Sequence, residues 1–357
     1  MPSRPDRSAV ADRPRSPRAA PVFPDPAGSA AAGSVPSAKA RPAPAHEAAG
    51  DELPPPLLEL CEARRSWGRT TALDGLSFEV EPGEFVAVLG PNGAGKTTMI
   101  RAIAGRVRLD AGQIRFAGKR LRPGRTRPEI GVVPQDLAVY PDLSARENLT
   151  VFAKLHGVAG GEIAHRVSTV LEWIGLADRG DDLVGTFSGG MKRRINIACA
   201  VLHGPRLVLL DEPTVGVDPQ SREKIFDMLT ALREQGTAFL LTTHHLEEAE
   251  ARCDRIVIVD HGRVIAAGRV PELIRATIGT GSHVTLRLDR PLDEPIPNVP
   301  TSPDPRTVSA RLEDVATDLP RLLRHLQRYG YGVQDVHVRP PSLQSVFLHL
   351  TGRDLRE

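Results

Sequence analysis

No apolar run in this 357-residue chain approaches the roughly 20 residues that a membrane-spanning helix needs. Runs such as residues 207–210 and 256–259 are far shorter, so the chain is not expected to cross a bilayer itself. Cysteine is scarce: Cys61, Cys199 and Cys253 stand too far apart for a disulfide framework or a zinc knuckle, which points to a reducing compartment. A dominant charge is lacking too. The 46 basic and 44 acidic residues nearly cancel to +2, so no global field recommends nucleic acid or an anionic membrane as a partner. Residues 1–56 have scarcely any large apolar side chain beyond Val10, Val22, Phe23, Val35 and Leu53, and such a segment cannot offset the entropy of folding. They also lack the continuous apolar stretch of a secretory signal, and Asp6, Asp12 and Asp25 interrupt an Arg-rich targeting pattern. A disordered extension ending at Pro54-Pro55-Pro56 is expected.

What is present begins at residue 57. With 40% apolar residues the chain is long enough for one large core and one smaller unit. Over residues 57–281 short β-type runs alternate with helical stretches, the pattern of an α/β layer architecture. Residues 85–89 and 207–210 are continuous apolar runs, as expected of parallel strands buried on both faces. The texture changes over residues 282–357. Val284, Leu286 and Leu288 alternate, a Pro-rich stretch intervenes between Pro291 and Pro305, and Val308, Ala310 and Leu312 alternate again. Leu319, Leu322, Leu323 and Leu326 mark one helix face, and Ser342 is placed to cap a last helix carrying Leu343, Val346, Phe347 and Leu350. A small α+β domain is expected there.

Three segments carry chemistry. Gly90, Pro91, Asn92, Gly93, Ala94, Gly95, Lys96, Thr97 and Thr98 follow the 85–89 strand and open a helical stretch, 99–104, that Gly105 can end. This is a phosphate-binding P-loop in its required context. The glycines let backbone N–H groups point into a concavity, the helix N-terminus adds partial positive charge, Lys96 reaches the β- and γ-phosphates and the Thr97 hydroxyl ligates Mg²⁺. The 207–210 strand ends in Asp211 and Glu212, whose side chains point different ways. Asp211 suits the neighbourhood of Mg²⁺, and Glu212 suits accepting a proton from the water that attacks the γ-phosphate. By itself a strand followed by Asp-Glu is usually a solvated loop start. The third segment is Ser188-Gly189-Gly190, before a helical run at 195–202; alone it would be an ordinary turn, but it also forms a second anion site at a helix N-terminus.

In this order, the three segments resemble the landmarks of ABC ATPases. Phe187-Ser188-Gly189-Gly190-Met191 is similar to the family's signature loop, with Phe187 and Met191 where Leu and Gln are usual. Further landmarks follow in register with the family. Gln135, in Val133-Pro134-Gln135-Asp136, matches the glutamine loop that senses Mg²⁺ and the attacking water and faces the membrane partner. Asp218, in Gly216-Val217-Asp218-Pro219, matches the dimer-contact loop, and His244, after Thr242-Thr243, matches the switch histidine that contacts the γ-phosphate. His245 is the weaker candidate. Trp67 lies where the family carries an aromatic that stacks on adenine, the alternative being a core or surface Trp. Residues 212–222, 243–250 and 341–352 are similar to the ATPases of ABC-2-type exporters of the daunorubicin-resistance kind.

The resemblance implies a P-loop NTPase fold with a RecA-like core sheet, an antiparallel β subdomain and a helical subdomain. It implies ATP and Mg²⁺ as cofactors, a homodimer closed over an ATP sandwich, and an ABC-2-type permease partner at the cytoplasmic face of the membrane. The implied work is export of a drug-like, lipid or polysaccharide compound, with no nucleic-acid partner. The alternatives are a non-transport ABC ATPase of DNA repair or translation, and a small-molecule kinase sharing only the P-loop.

Overall fold

The computed structural model describes residues 55–124, 127–300 and 302–352. The expected disordered extension therefore lies outside the described residues except at Pro55 and Pro56. The chain opens with a hairpin, β1 (Leu58–Trp67) and β2 (Thr70–Val80), followed by β3 (Phe85–Leu89), α1 (Lys96–Ile103), β4 (Ala111–Phe116), β5 (Lys119–Arg120) and β6 (Ile130–Val133). Three helices follow: α2 (Ala145–Leu155), α3 (Gly160–Trp173) and α4 (Gly189–Val201). Then come β7 (Leu207–Asp211), α5 (Pro219–Glu234), β8 (Ala238–Thr242), α6 (Leu246–Arg252), β9 (Arg255–Asp260), β10 (Arg263–Gly268) and α7 (Val270–Thr277). The last elements are β11 (Ser282–Leu288), β12 (Thr307–Leu312), α8 (Val315–Arg328), β13 (Val333–Arg339) and α9 (Leu343–Thr351).

The central sheet has six strands in the order β10-β9-β3-β8-β7-β6, parallel except for β10 at one edge. Every residue of β3, β7 and β8 is buried, because helices or the second sheet cover both faces. The register is what matters for function: Thr242 of β8 pairs with Val88 of β3 on one side and Asp211 of β7 on the other. The carboxyl ends of three neighbouring strands are therefore level, the edge at which open α/β sheets bind ligands.

The second sheet is antiparallel, in the order β2-β1-β4-β5, and its Leu58, Leu60, Leu73 and Leu76 share a core with Val86, Val88, Met99 and Ile103. Opposite it, α2, α3 and α4 pack Leu149, Val170, Leu171 and Ile195 against Phe226, Leu229, Phe239 and Leu241. Caps explain where these helices begin. Ser144 and Glu147 form a reciprocal capping box at α2, and Asp218 caps α5 with Pro219 just inside. Gly95 turns the chain straight into α1 and Ser188 caps α4, so both helices begin earlier than residues 99 and 195, where the apolar pattern alone sets in.

The small sheet, β12-β11-β13, has its own core of Val284, Leu286, Leu288, Val308 and Leu326. Ser342 caps α9 as its position suggests, accepting the Ser345 N–H. The helix then leaves this core: Leu343, Val346 and Phe347 are buried with Ala87, Leu89, Leu246, Ala249, Ile256 and Ile258, beneath the central sheet. The inner face of the small sheet is already filled by the Leu319–Leu326 stripe of α8, so the stripe of α9 finds its apolar surface elsewhere. Among the described residues no helix is long and apolar enough to cross a membrane.

Candidate functional site

A cavity of about 750 Å³ opens at the level strand ends. One wall is the loop from Asn92 to Thr98, a second is Thr70 and Ala72 of β2, and the far wall is Gln135, Glu212, His244 and His245. Two glycines are obligatory in the loop. A Cβ on Gly90 would lie 2.2 Å from the Val259 carbonyl oxygen, and one on Gly95 would lie 2.1 Å from that of Ala72, with φ already at 102°. Lys96 is buried, and its ammonium donates to the carbonyls of Gly90 and Pro91. Burial pulls its pKa below the ordinary lysine value, while the charges of Glu212 and Asp211 push the other way. Thr97 and Thr98 stand in the first turn of α1, half-buried, on the cavity wall.

The far wall is organised around one carboxylate. Gln135 Nε2 donates to Glu212 Oε2 at 3.2 Å, and His244 Nδ1 stands 3.6 Å from the same oxygen. Glu212 adopts a left-handed backbone, φ 47°, which costs a non-glycine residue of order 1 kcal/mol and is held by its surroundings. Its N–H donates to the Thr242 carbonyl at 3.0 Å and contacts the Thr242 hydroxyl at 3.3 Å. The same hydroxyl donates to Asp211 Oδ1 at 2.6 Å. Thr242 is fully buried, and Asp211 is nearly so, behind the cavity wall. One threonine thus fixes both acids.

Gln135 is positioned from the other side. Arg193 of α4 is only 4% exposed, yet its guanidinium donates to the carbonyls of Pro134 at 3.0 Å and Gln135 at 2.8 Å. Burial lowers its pKa and the charge of Asp136 opposes that. Asn196, one turn on, accepts the Ala138 N–H at 3.0 Å. The loop carrying Gln135 is therefore clipped to the helix that Ser188 caps. On the opposite flank Glu248 of α6 accepts from Thr214 at 3.0 Å and pairs with Arg222 at 3.2 Å. Burial raises its carboxyl pKa.

Ser188, Gly189, Gly190 and Asp218 do not line the cavity; they lie together on another surface. A Cβ on Gly190 would meet Ser221 Oγ at 2.3 Å, and Asp218 accepts the Ser221 N–H at 2.9 Å, so the two loops abut. The Ser188 hydroxyl accepts the Met191 N–H at 3.3 Å. Trp67 is half exposed at the end of β1, paired with Thr70 of the cavity wall, and the Arg65 guanidinium covers one face of its ring at 4.1 Å. Thr242, Arg193 and Glu248 escape sequence reasoning, as does the full membership of His245 in the cavity wall. The only signal in sequence was their nearness to motifs.

Residues 73–215 match the family model described as ABC transporter. The chain is 38% identical to the linearmycin resistance ATP-binding protein of Bacillus subtilis, over 84% of this chain and the whole of that protein. It is 40% identical to a daunorubicin resistance ATP-binding protein of Streptomyces coeruleorubidus, over 82% of this chain and 95% of that one. With a Nod factor export ATP-binding protein of Paraburkholderia xenovorans it shares 38% over 85% of this chain and all of the relative. The solved ATP-binding subunit of an ABC transporter superposes with a TM-score of 0.57 at 34% identity, over 62% of this chain and 93% of that one.

Proposed function

The chain belongs to the family of ABC transporter ATP-binding proteins, and from that premise we propose that it hydrolyses Mg-ATP as a head-to-tail homodimer to power a separate ABC-2-type permease. The relatives above are named for linearmycin resistance, daunorubicin resistance and Nod factor export, so the work is export of a drug-like, lipid or polysaccharide compound. The observation that carries the reading is the convergence of Gln135 and His244 on one oxygen of Glu212 across the cavity from Lys96.

Backbone N–H groups of the 92–98 loop and the N-terminus of α1 receive the phosphates, and Lys96 exchanges its two loop carbonyls for phosphate oxygens. Glu212 takes the proton of the attacking water as the bond from the γ-phosphorus to its bridging oxygen breaks. Gln135 and His244 hold that carboxylate and the water in line. Thr97 and Gln135 on the cavity wall, and Asp211 behind it through water, offer oxygen donors of the kind that Mg²⁺ takes, and the ion, when bound, would neutralise phosphate charge. Comparing ATP hydrolysis by the purified protein with that of Lys96→Ala tests the reading; equal turnover would sink it.

Thr242 is proposed to position both acids. Thr242→Val keeps the shape and removes the hydroxyl, and should lower kcat about tenfold, or ~1.4 kcal/mol on the barrier, while KM for ATP stays near wild type. Stability should fall by ~1–3 kcal/mol because a buried acceptor loses its donor. Thr242→Ser should restore both, as read by steady-state kinetics and denaturant unfolding, and an unchanged kcat in the valine variant would exclude the role.

Trp67 is proposed to stack on adenine with the ring face that Arg65 leaves uncovered. Trp67→Ala should weaken nucleotide binding by about 1 kcal/mol. Because the residue is half exposed, the melting temperature should hardly change. Fluorescence titration with a labelled nucleotide reads the first effect, and wild-type affinity would make Trp67 a surface residue only.

The permease side is proposed to be the surface around the Gln135 loop. Leu137, Tyr140 and Leu183 are large apolar side chains 42%, 50% and 49% exposed. The loops that bear them are joined, the Gly185 N–H donating to the Pro141 carbonyl at 2.8 Å and the Val184 N–H to that of Leu143 at 3.0 Å. A movement of the permease against this surface reaches Gln135 directly.

A further inference from the structure

The outer face of the small sheet carries a row of basic side chains. His283 of β11 is paired directly with Arg311 of β12 on one side and with Arg339 of β13 on the other. Val284, Leu286 and Leu288 point into the core, so by strand alternation these three basic side chains form a row across the opposite face. His283 is thus flanked on both sides by a guanidinium charge. Glu313 offers partial relief to Arg311, at 3.7 Å, and among the described residues no carboxylate lies within ion-pair distance of His283 or Arg339.

The row also borders a cavity. An open cavity of about 270 Å³ lies between it, Gly281, and the Pro341 and Ser345 region where α9 begins. Arg311 lies close over Gly279 and Gly281: a Cβ on the first would lie 2.5 Å from a guanidinium nitrogen, and one on the second 2.8 Å from Nε. Two arginines, a histidine and a serine border this small space, and their side chains carry the donors that an oxyanion with several acceptor atoms takes. The space is below the usual range for drug-sized ligands, and no Phe, Tyr or Trp lines it for a base to stack on. We propose that Arg311, His283 and Arg339, closed by the first turn of α9, form a second anion site that takes a phosphate monoester.

Occupancy would tie the small sheet to α9. That helix packs on Leu246 and Ala249 of α6, and Glu250 of α6 accepts the Leu343 N–H at 3.4 Å. Since α6 follows His244 and His245 directly, the site is mechanically adjacent to the far wall of the nucleotide cavity.

The test is calorimetric titration of glycerol 3-phosphate into the full-length protein saturated with ADP, at ionic strength held constant with NaCl. One site per chain is expected, with Arg311→Gln and Arg339→Gln each weakening it about tenfold or more. ADP affinity should be the same in all three proteins, which shows that the variants are folded. A parallel arm sediments the protein with vesicles of phosphatidylcholine with and without phosphatidic acid. Arginine-dependent binding to the free ester alone identifies a soluble ligand, and arginine-dependent binding only to the phosphatidic acid vesicles identifies a lipid headgroup. Absence of binding in both arms, or binding that both glutamine variants retain in full, would overturn the proposal.

Discussion

Glu212→Gln is expected to bind Mg-ATP as wild type does and to lose hydrolysis by about 10²–10⁴-fold, the contribution of a positioned base. The substitution preserves shape and leaves the backbone contacts to Thr242 intact, so the left-handed turn at residue 212 survives. What changes is the charge. Gln135 and His244 lose the carboxylate oxygen on which both converge, and the attacking water loses its proton acceptor. Because the γ-phosphate then persists, any assembly that it bridges accumulates instead of turning over. Light scattering should therefore report an ATP-induced dimer in Glu212→Gln and only a transient one in wild type. Brisk hydrolysis by the variant would show that the base is another residue.

The parts legible in sequence are those in which a local pattern has one physical solution. Apolar runs at residues 85–89 and 207–210 have few folded options besides strands buried on both faces. Gly90 and Gly95 of the 90–98 loop are likewise demanded by backbone approaches of about 2 Å, and Gly93 by its positive φ of 85°, which is why the loop reads so clearly. The reading fails where the decisive fact is which way an equivalent residue faces. Lys192, Arg193 and Arg194 are indistinguishable as a basic triplet, and only packing reveals that Arg193 holds the Gln135 loop while Arg194 reaches the Ile174 carbonyl. Thr242 reads as the first of two threonines before His244; its importance comes from strand register, which places it level with Asp211. The apolar stripe of α9 is equally clear in sequence, but periodicity cannot tell which of two sheets will bury it.

Mixing two inactive variants is expected to restore hydrolysis, because each catalytic site is proposed to take its P-loop from one chain and its signature loop from the other. Within one chain Ser188, Gly189 and Asp218 stand on a surface apart from the cavity that holds Lys96, although Ser188 caps a helix whose N-terminus suits an anion. A head-to-tail pair about a two-fold axis lets each loop meet the other's nucleotide. Lys96→Ala removes the ammonium from one half of a site, and Ser188→Arg fills the other half with a bulky cation at the helix cap. Either homodimer then has two broken sites. In a mixed dimer the two lesions fall in the same site, and the second site pairs an intact Lys96 with an intact Ser188. An equal mixture should contain about half mixed dimers, each with one competent site, so turnover should recover to about a quarter of wild type if the sites act independently. Recovery should follow mixing in proportion to the product of the two variant concentrations, and Gly190→Val should substitute for Ser188→Arg as the second partner, since its side chain meets Ser221 at the same surface. A mixture no more active than its separate components, with both variants folded and the mixed dimer detected by differential tagging, would place the whole catalytic site within a single chain.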